Sequence, residues 1–495
     1  MDSSVRLHAG DKVLVGRHLV EVDSDFANSL DEGDVVLGIS ATGALKRIPS
    51  STKSLVEESV SRAWNAFGDL AECSPKAIDS FFDNAADLLA NDAIFDVIAQ
   101  ANAADVSSAR SRGRSTTRLV LSPKMRSDMV AAFRMWRDLE MSREEQIGRV
   151  DHDGWSVEQW RSPLGVIGFV FEGRPNVFAD ATGVLKGGNV VVFRIGSDAL
   201  GTAMAIMNTV IIPALDKSGL PRHSVVLLES PEHAAGWALF SDSRLALAVA
   251  RGSGSAVAEL GSIAQQSGVS VSLHGTGGAW IVAGSDCDAQ RLSHIVEHSL
   301  DRKVCNTLNT ICIVRSRAED LVPIVFDAAR RAGRNRGHEP RLHVVGDAGR
   351  FLPDTGSVAV VRESREVTEP QVTEATIDIV GHEFEWEENP EFALVLVESL
   401  DEAVDLFNQH SPQFIISVIS ESDDEKNLVW SRANAPFVGD GMTRWVDGQF
   451  ALLRPELGLS NWENGRLFAR SGILSGDSAF TVRLRVKQSS NTLHR

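Results

Sequence analysis

From residue 163 onward, short apolar runs and helical segments take turns. PLGVIGFVF, NVVVF, SVVLL, LALAVA and VSVSL read as strands, while ATGVLKG, 231–240 and 254–267 read as helices. Ser197 caps a further long helix that stops at Lys217-Ser-Gly219, with Pro221 just beyond. Strands that are apolar throughout need cover on both faces, and the short loops leave only crossover helices to provide it. The stretch therefore predicts a parallel, doubly wound α/β sheet. A second alternating stretch covers 311–435, with ICIVR, SVAVV, ALVLV and FIISVI as its strands. Ahead of both, residues 1–50 read as short β segments (KVLVG, HLVEVD, DVVLGIS) between Asp/Gly turns. Ser54-Leu-Val-Glu57 fits a capping box opening a helix to about Leu70. Amphipathic helices are expected at about 76–103 and 124–140, and Asp151-His-Asp-Gly154 is a hairpin turn.

Charge and composition remove several function classes. With 49 Lys+Arg against 67 Asp+Glu the net charge is −18, which opposes binding to nucleic acid or to an anionic membrane. No stretch approaches the roughly 20 apolar residues of a membrane span, and the N-terminus has no secretory pattern. Tyr is absent, so carbonyl reduction by a catalytic tyrosine is excluded. Neither CxxC nor HExxH occurs, and no metal site is expected. Four cysteines in 495 residues do not make a disulfide framework, and free thiols fit a reducing cytoplasm.

Two strand-to-helix turns offer N–H groups to a phosphate. One is Val190-Val-Val-Phe-Arg194-Ile-Gly-Ser197, and the other is Leu247-Ala-Val-Ala-Arg251-Gly252-Ser253-Gly254. Neither is GxGxxG, so the dinucleotide fingerprint is missing. Among the thiols, Cys312 alternates with apolar neighbours as a core residue does, and Cys287 lies between two aspartates that raise its pKa. Cys73 also reads as structural. Cys305, in Asp301-Arg-Lys-Val-Cys-Asn306, alone has a basic, loop-like setting, where Arg302 and Lys303 favour thiolate.

Several segments together resemble one family. Pro163-Leu-Gly-Val-Ile-Gly168 with Phe171-Glu-Gly-Arg-Pro-Asn-Val177 resembles the PLGVIG…YEARPNV block of glutamate-5-semialdehyde dehydrogenases (γ-glutamyl phosphate reductases), a branch of the aldehyde dehydrogenase superfamily. Lys186-Gly-Gly-Asn189, Val304-Cys305-Asn306, Thr443-Arg444-Trp-Val-Asp447-Gly448, Glu456-Leu-Gly458-Leu-Ser460 and Leu467-Phe-Ala469-Arg470 are similar to further blocks in the same order. The resemblance spans about 55–480. It implies a Rossmann-like nucleotide domain (51–142 and 161–273), an α/β catalytic domain (274–473) and a small β oligomerisation element (143–160 with 474–495). Residues 1–50 remain as an N-terminal β-rich extension.

The resemblance also implies chemistry. An acyl phosphate, glutamyl-5-phosphate or a relative, would be reduced to its aldehyde through a Cys305 thioester, reversibly with phosphate, as a step of proline biosynthesis. The general-base Glu that hydrolytic relatives carry in an ELGG segment is matched here by Gly275-Thr-Gly277-Gly278, without a carboxylate. Such a site suits hydride rather than water as the attacker of the thioester. Asn176 resembles the superfamily's amide donor and, with the Cys305 N–H, would stabilise the oxyanion, each by roughly 2.7–4 kcal/mol. Arg194 is the expected contact at the adenosine ribose and favours NADPH, with Ser197, Gly252 and Ser253 completing the cofactor turns. Glu387, with Glu388 close behind, is expected at the nicotinamide ribose. Arg174, Asn306, Arg444 and Arg470 are the substrate-binding candidates.

Three departures fall on segments expected to face substrate or cofactor. The family's IPRGG reads Val249-Ala-Arg251-Gly252-Ser253, a carboxylate beside the thiol is replaced by Asn309, and a histidine by Trp280. They motivate a second reading, a CoA-acylating or otherwise divergent aldehyde dehydrogenase. A third, a non-catalytic family member, is motivated by residues 1–50, which offer a surface for a protein partner. A homodimer or homotetramer acting on a small molecule is expected.

Overall fold

The computed structural model describes residues 7–493 except 115, 117, 141–142, 144, 363–364, 446–450, 456–461, 464–465 and 468–475. The chain forms two compact units, one of residues 1–275, 452–459 and 473–495, the other of 276–451 and 460–472.

The first unit is built on a five-stranded parallel sheet. Its order is Val271–His274, Leu245–Arg251, Val166–Val170, Val190–Arg194, Val225–Leu227. Every residue of Val166–Val170 and Val190–Arg194 is buried, as their unbroken apolar runs require. The chain moves outward from Val166–Val170 through two neighbours, then returns to the other side for Leu245–Arg251. The direction of winding thus reverses between Val166–Val170 and Leu245–Arg251, and ligands of doubly wound sheets bind outside the carboxyl ends of the strands at such a reversal.

Several helices differ in detail from expectation. The helix expected from Ser54 starts at Ser50, directly after Pro49, so Ser54 lies inside it rather than capping it. The single helix expected over 76–103 is two, Pro75–Ala90 and Asp92–Ser111. Asn91 separates them and accepts hydrogen bonds from the N–H groups of Ala93 and Ile94. The helix Ser197–Ser218 is long and apolar enough, by length and composition, to cross a membrane, contrary to the sequence expectation. Half of its most apolar window is buried inside the protein, with Ala203, Ile206, Val210, Ile211, Ala214 and Leu215 facing the unit's interior.

Two smaller β elements complete this unit. Residues 12–48 form two antiparallel hairpins, Lys12–Val15 with His18–Glu21 and Val35–Gly38 with Leu45–Ile48. They lean on the helices His233–Phe240 and Gly254–Gln266: Gln266 bonds the Ser40 N–H and the Gly38 carbonyl, and Lys46 pairs with Glu259 at 2.9 Å and lies over the Trp237 ring. The hairpin Gln146–His152 with Trp155–Pro163 gains a third strand from the chain's end, Phe480–Gln488.

The second unit carries a seven-stranded sheet. All neighbours are parallel, in the order Val372–Ala375, Arg341–Val345, Glu391–Val397, Leu308–Val314, Ala279–Ala283, Ile415–Ile419, Phe437–Gly439. SVAVV is not among them. Ser357–Arg362 pairs instead with Arg365–Pro370 as an antiparallel hairpin with little burial. Trp280 is fully buried in Ala279–Ala283 and meets Phe407 edge-on at 5.6 Å, so it fills the core and does not face a ligand.

Candidate active site

Cys305 lies on the loop between the helix Ala289–Ser299 and the strand Leu308–Val314, and is half-buried. The loop is tightly tied. Thr307 Oγ1 accepts from the Val304 N–H and donates to the Arg302 carbonyl, and the Gly278 N–H donates to the Cys305 carbonyl at 2.7 Å. Gly277 packs directly behind the cysteine. A Cβ there would lie 2.6 Å from Cys305 Cα and 2.7 Å from a Glu383 carboxylate oxygen, so no other residue fits. Arg444 is buried and braces the same loop, donating to Asp301 at 2.9 Å and to the Arg302 carbonyl, while Thr443 Oγ1 donates to the Asn306 carbonyl. Asn306 is itself buried. Arg470 lies outside the described residues.

The carboxylate that meets this loop is Glu383, which the sequence reading did not single out. It accepts from the Gly277 N–H and from Lys303 Nζ, both at 2.5 Å. Glu387, expected at the nicotinamide ribose, is exposed on the same segment, where its carbonyl accepts from Arg336. Asn309 explains the choice. Its Nδ2 donates to the His382 carbonyl and its Oδ1 accepts from the Phe384 N–H, clamping the backbone on both sides of Glu383. A carboxylate at 309 has no hydrogen to give the His382 carbonyl. The amide is therefore a clamp, not a substrate contact. Three entry segments thus converge at the N-terminal edges of three adjacent strands: Gly277-Gly278 before Ala279, Cys305 before Leu308, and Glu383 before Glu391.

The other thiols are quenched by their settings. Burial pushes Cys287 up to about 12, raises Cys312 further and raises Cys73. The basic flank of Cys305 is only partly available, because Lys303 is spent on Glu383.

In the first unit the expected cofactor residues gather at the carboxyl edge of the five-stranded sheet. Arg194 ends its strand buried, donating to the Pro231 carbonyl at 3.2 Å, and its Nε has no partner. Among the described residues it has no ion pair, and burial lowers its pKa. Ser197 opens the following helix, and Gly196 lets that turn meet the loop after Val166–Val170. A Cβ on Gly196 would lie 2.6 Å from the Gly173 nitrogen. Ser253 is the exposed N-cap of the 13-residue helix Gly254–Gln266, makes no side-chain capping bond, and follows Gly252. A buried unpaired guanidinium beside open helix-start turns fits a phosphorylated nucleotide. Asn176 sits exposed in the turn Pro175–Val177, and Arg174 two residues earlier reaches Glu172 at 3.2 Å.

These features have counterparts in known proteins. Residues 38–344 match the model of the aldehyde dehydrogenase family, and the chain belongs to that family. It is an NAD(P)-dependent oxidoreductase acting on the aldehyde group of a small molecule, and the fold implies a nicotinamide cofactor. The branch anticipated from the sequence blocks is also the one its curated relatives bear by name. A gamma-glutamyl phosphate reductase of Solidesulfovibrio magneticus is 29% identical over 413 residues, covering 81% of this chain and 90% of that protein. One of Clostridium beijerinckii is 28% identical over 372 residues, covering 73% and 83%. The fold is shared with the crystal structure of the Thermotoga maritima gamma-glutamyl phosphate reductase (TM-score 0.76, 22% identity, 89% of this chain and 100% of that one). It is shared more loosely with an acetylating aldehyde dehydrogenase of Geobacillus thermoglucosidasius (TM-score 0.59, 13% identity, 90% and 99%).

Proposed function

We propose that this protein reduces an acyl phosphate, glutamyl-5-phosphate or a close relative, to the aldehyde through a thioester on Cys305, with NADPH as reductant. One observation carries the direction of the reaction. The carboxylate meeting the thiol loop, Glu383, is already engaged by Lys303 and the Gly277 N–H, and Gly275–Gly278 supplies none. Water therefore lacks a free base, and a thioester lasts long enough to be reduced.

The Cys305 thiolate attacks the carbonyl carbon, the C–O bond to phosphate breaks, and phosphate departs. When bound, the reduced nicotinamide supplies the hydride that the thioester carbonyl carbon accepts. The resulting hemithioacetal collapses, returning the thiolate and releasing aldehyde. The Asn176 amide and the Cys305 N–H are the proposed donors to the oxyanion of both tetrahedral species. Arg194 is the proposed partner of a 2′-phosphate, supported by its buried, unpaired guanidinium, with Ser197, Gly252 and Ser253 at the remaining phosphates. Glu383 takes over from Glu387 as the carboxylate proposed at the nicotinamide end. Arg174 is proposed to act on the substrate, Asn306 and Arg444 to hold the loop in place.

A homo-oligomer is proposed through the three-stranded sheet that ends in Phe480–Gln488, where Leu484 and Val486 are exposed. A protein partner at residues 1–50 is supported by the exposed cross-strand pair Leu14 and Leu19. A cytoplasmic location fits the four free thiols.

The test is NADP⁺ reduction with glutamate 5-semialdehyde and other aldehydes, with phosphate present, absent or replaced by CoA. Phosphate-dependent turnover that Cys305→Ser abolishes and Asn176→Ala lowers roughly 10²–10³-fold is expected. A requirement for CoA, or activity indifferent to Cys305, refutes the reading.

A further inference from the structure

The β-rich extension of residues 1–50 is left without a task by the cofactor assignment. Its second hairpin, Val35–Gly38 with Leu45–Ile48, touches both helices that follow Val225–Leu227 and Leu245–Arg251 in the first unit. Gln266, ending the helix Gly254–Gln266, holds the Ser40 N–H and the Gly38 carbonyl. Lys46 reaches between the two helices. Its ammonium pairs with Glu259 of Gly254–Gln266 at 2.9 Å and lies 4.8 Å over the Trp237 ring of His233–Phe240. Lys46 and Glu259 are both partly buried, so salt screens the pair less than an open surface pair.

Arg194 lies under the same two helices. A Cβ on Gly236 would stand 3.8 Å from Arg194 Cδ and 3.7 Å from Leu260 Cδ2, and the guanidinium donates to the Pro231 carbonyl just ahead of His233–Phe240. Trp237 and Glu259 adjoin Gly236 and Leu260 in the chain, so the Lys46 pair is one residue along each helix from the contact that covers Arg194. The charges also meet electrostatically at His233, one turn before Trp237. Burial, then the fields of Arg194, Arg114 and Lys46, lower its pKa, and Glu259 works against them. Other acids nearby are occupied or open to water: Asp198 by Arg112 and Arg114, Glu232 by Thr52 at 2.6 Å, while Glu229 is exposed. Among the described residues, Lys46 is the one cation paired with Glu259.

Dinucleotide sites choose between coenzymes at the ribose 2′ position, where a carboxylate favours the free hydroxyl and a cation the phosphate. Glu259 stands in the second turn of the helix that Ser253 caps, about 9 Å along the axis from that cap. An unbalanced charge is still felt by a phosphate over such a distance. We propose that Lys46, carried on the N-terminal extension, makes this protein choose NADPH over NADH by neutralising Glu259, which would otherwise repel the 2′-phosphate held at Arg194. This rests on the cofactor reading above, which puts that phosphate at Arg194, and adds what sets the choice. Lys46 touches neither coenzyme and acts through Glu259.

The test is fluorescence titration of the full chain with NADPH and with NADH, at low and at high KCl. Lys46→Met is expected to weaken NADPH roughly three- to tenfold at low salt and NADH less than about twofold, with the difference fading at high salt. Lys46→Arg should keep the wild-type preference. Adding Glu259→Gln to Lys46→Met should restore it, since the repelling acid is then gone, and steady NADH binding reports that each variant is folded. Equal losses for both coenzymes in Lys46→Met, or a loss that Glu259→Gln does not repair, would mean that Lys46 only braces the helices, and would overturn the proposal. So would NADPH affinity that Lys46→Met leaves unmoved. Arg194→Gln separates the proposal from the reading beneath it. A preference lost there but kept in Lys46→Met overturns the proposal and spares the reading. A wild type without preference for NADPH, or a preference that survives Arg194→Gln, removes both.

Discussion

At the scale of single residues, what counts is where a charge is spent, not where it stands in the chain. Lys303 is two residues from Cys305, yet its ammonium is committed to Glu383, 80 residues away. Opposite effects should follow from breaking that pair at either end. Glu383→Gln leaves the ammonium with only the exposed Glu385, at 3.7 Å, and should speed alkylation by iodoacetamide at pH 7. Lys303→Met leaves the carboxylate instead and should slow it. Alkylation rates that move together in the two variants count against the pairing as the control. Asp180 offers a second residue-scale test. Burial raises its carboxyl from the ordinary 3.8 to about 7, against the pull of Arg251 and Arg174. Between about pH 4 and 7 the folded protein keeps a proton that the unfolded chain has lost, so stability from this group falls with rising pH and levels off above 7. Denaturation midpoints of wild type should decline across that window relative to Asp180→Asn, and parallel pH profiles would contradict the assignment.

At the scale of elements, the thiol loop is a product of three strand entries held in register by backbone and amide contacts. Asn309 is the component most open to test, because it is buried and serves both sides of Glu383. Asn309→Leu removes both bonds and leaves the His382 carbonyl and Phe384 N–H unpaired, at a cost of roughly 1–3 kcal/mol for each group left buried. Urea denaturation should show the loss, and turnover should drop as Glu383 slips from the Gly277 N–H. Full activity in a destabilised variant would mean that the clamp serves folding alone. The existence of this element was half visible beforehand. The Val-Cys-Asn block and the Gly-Thr-Gly-Gly stretch marked two of the three entries, but the third lay in a run with Glu383, Glu385, Glu387 and Glu388. Spacing picked Glu387. Phe384 and Trp386 turn inward, which puts 383, 385 and 387 alike on the other side, and only the long-range Asn309 clamp separates them.

At the scale of the whole molecule, most of the fold follows from the unbroken apolar strands and their spacing. The exceptions have physical causes. SVAVV has the composition of a buried strand but pairs with its successor as a hairpin of little burial, since a local antiparallel partner begins three residues after the strand ends. Trp280 replaces a histidine that family comparison places near a ligand, but the alternation of its strand turns it into the core. The strand Phe480–Gln488 leaves Leu484 67% and Val486 62% exposed on the sheet it completes beside Trp155–Pro163 and Gln146–His152. Apolar side chains in such a row call for cover. Leu484→Asp should shift the protein to a smaller species in sedimentation velocity, whereas a wild type already monomeric would dismiss the sheet as an assembly face.

The amino-acid sequence by itself determined the doubly wound sheet and the branch of the family, and it marked Cys305 out from the other three thiols as the candidate nucleophile. Each of these is written in short-range patterns: apolar runs, turn residues, neighbouring charges. The partners of Lys303, Asn309, Arg251 and Trp280 were decided only in three dimensions. Periodicity tells which way a side chain faces, but the group it meets there comes from a distant part of the chain, and that meeting fixes whether a charge is free, spent or buried.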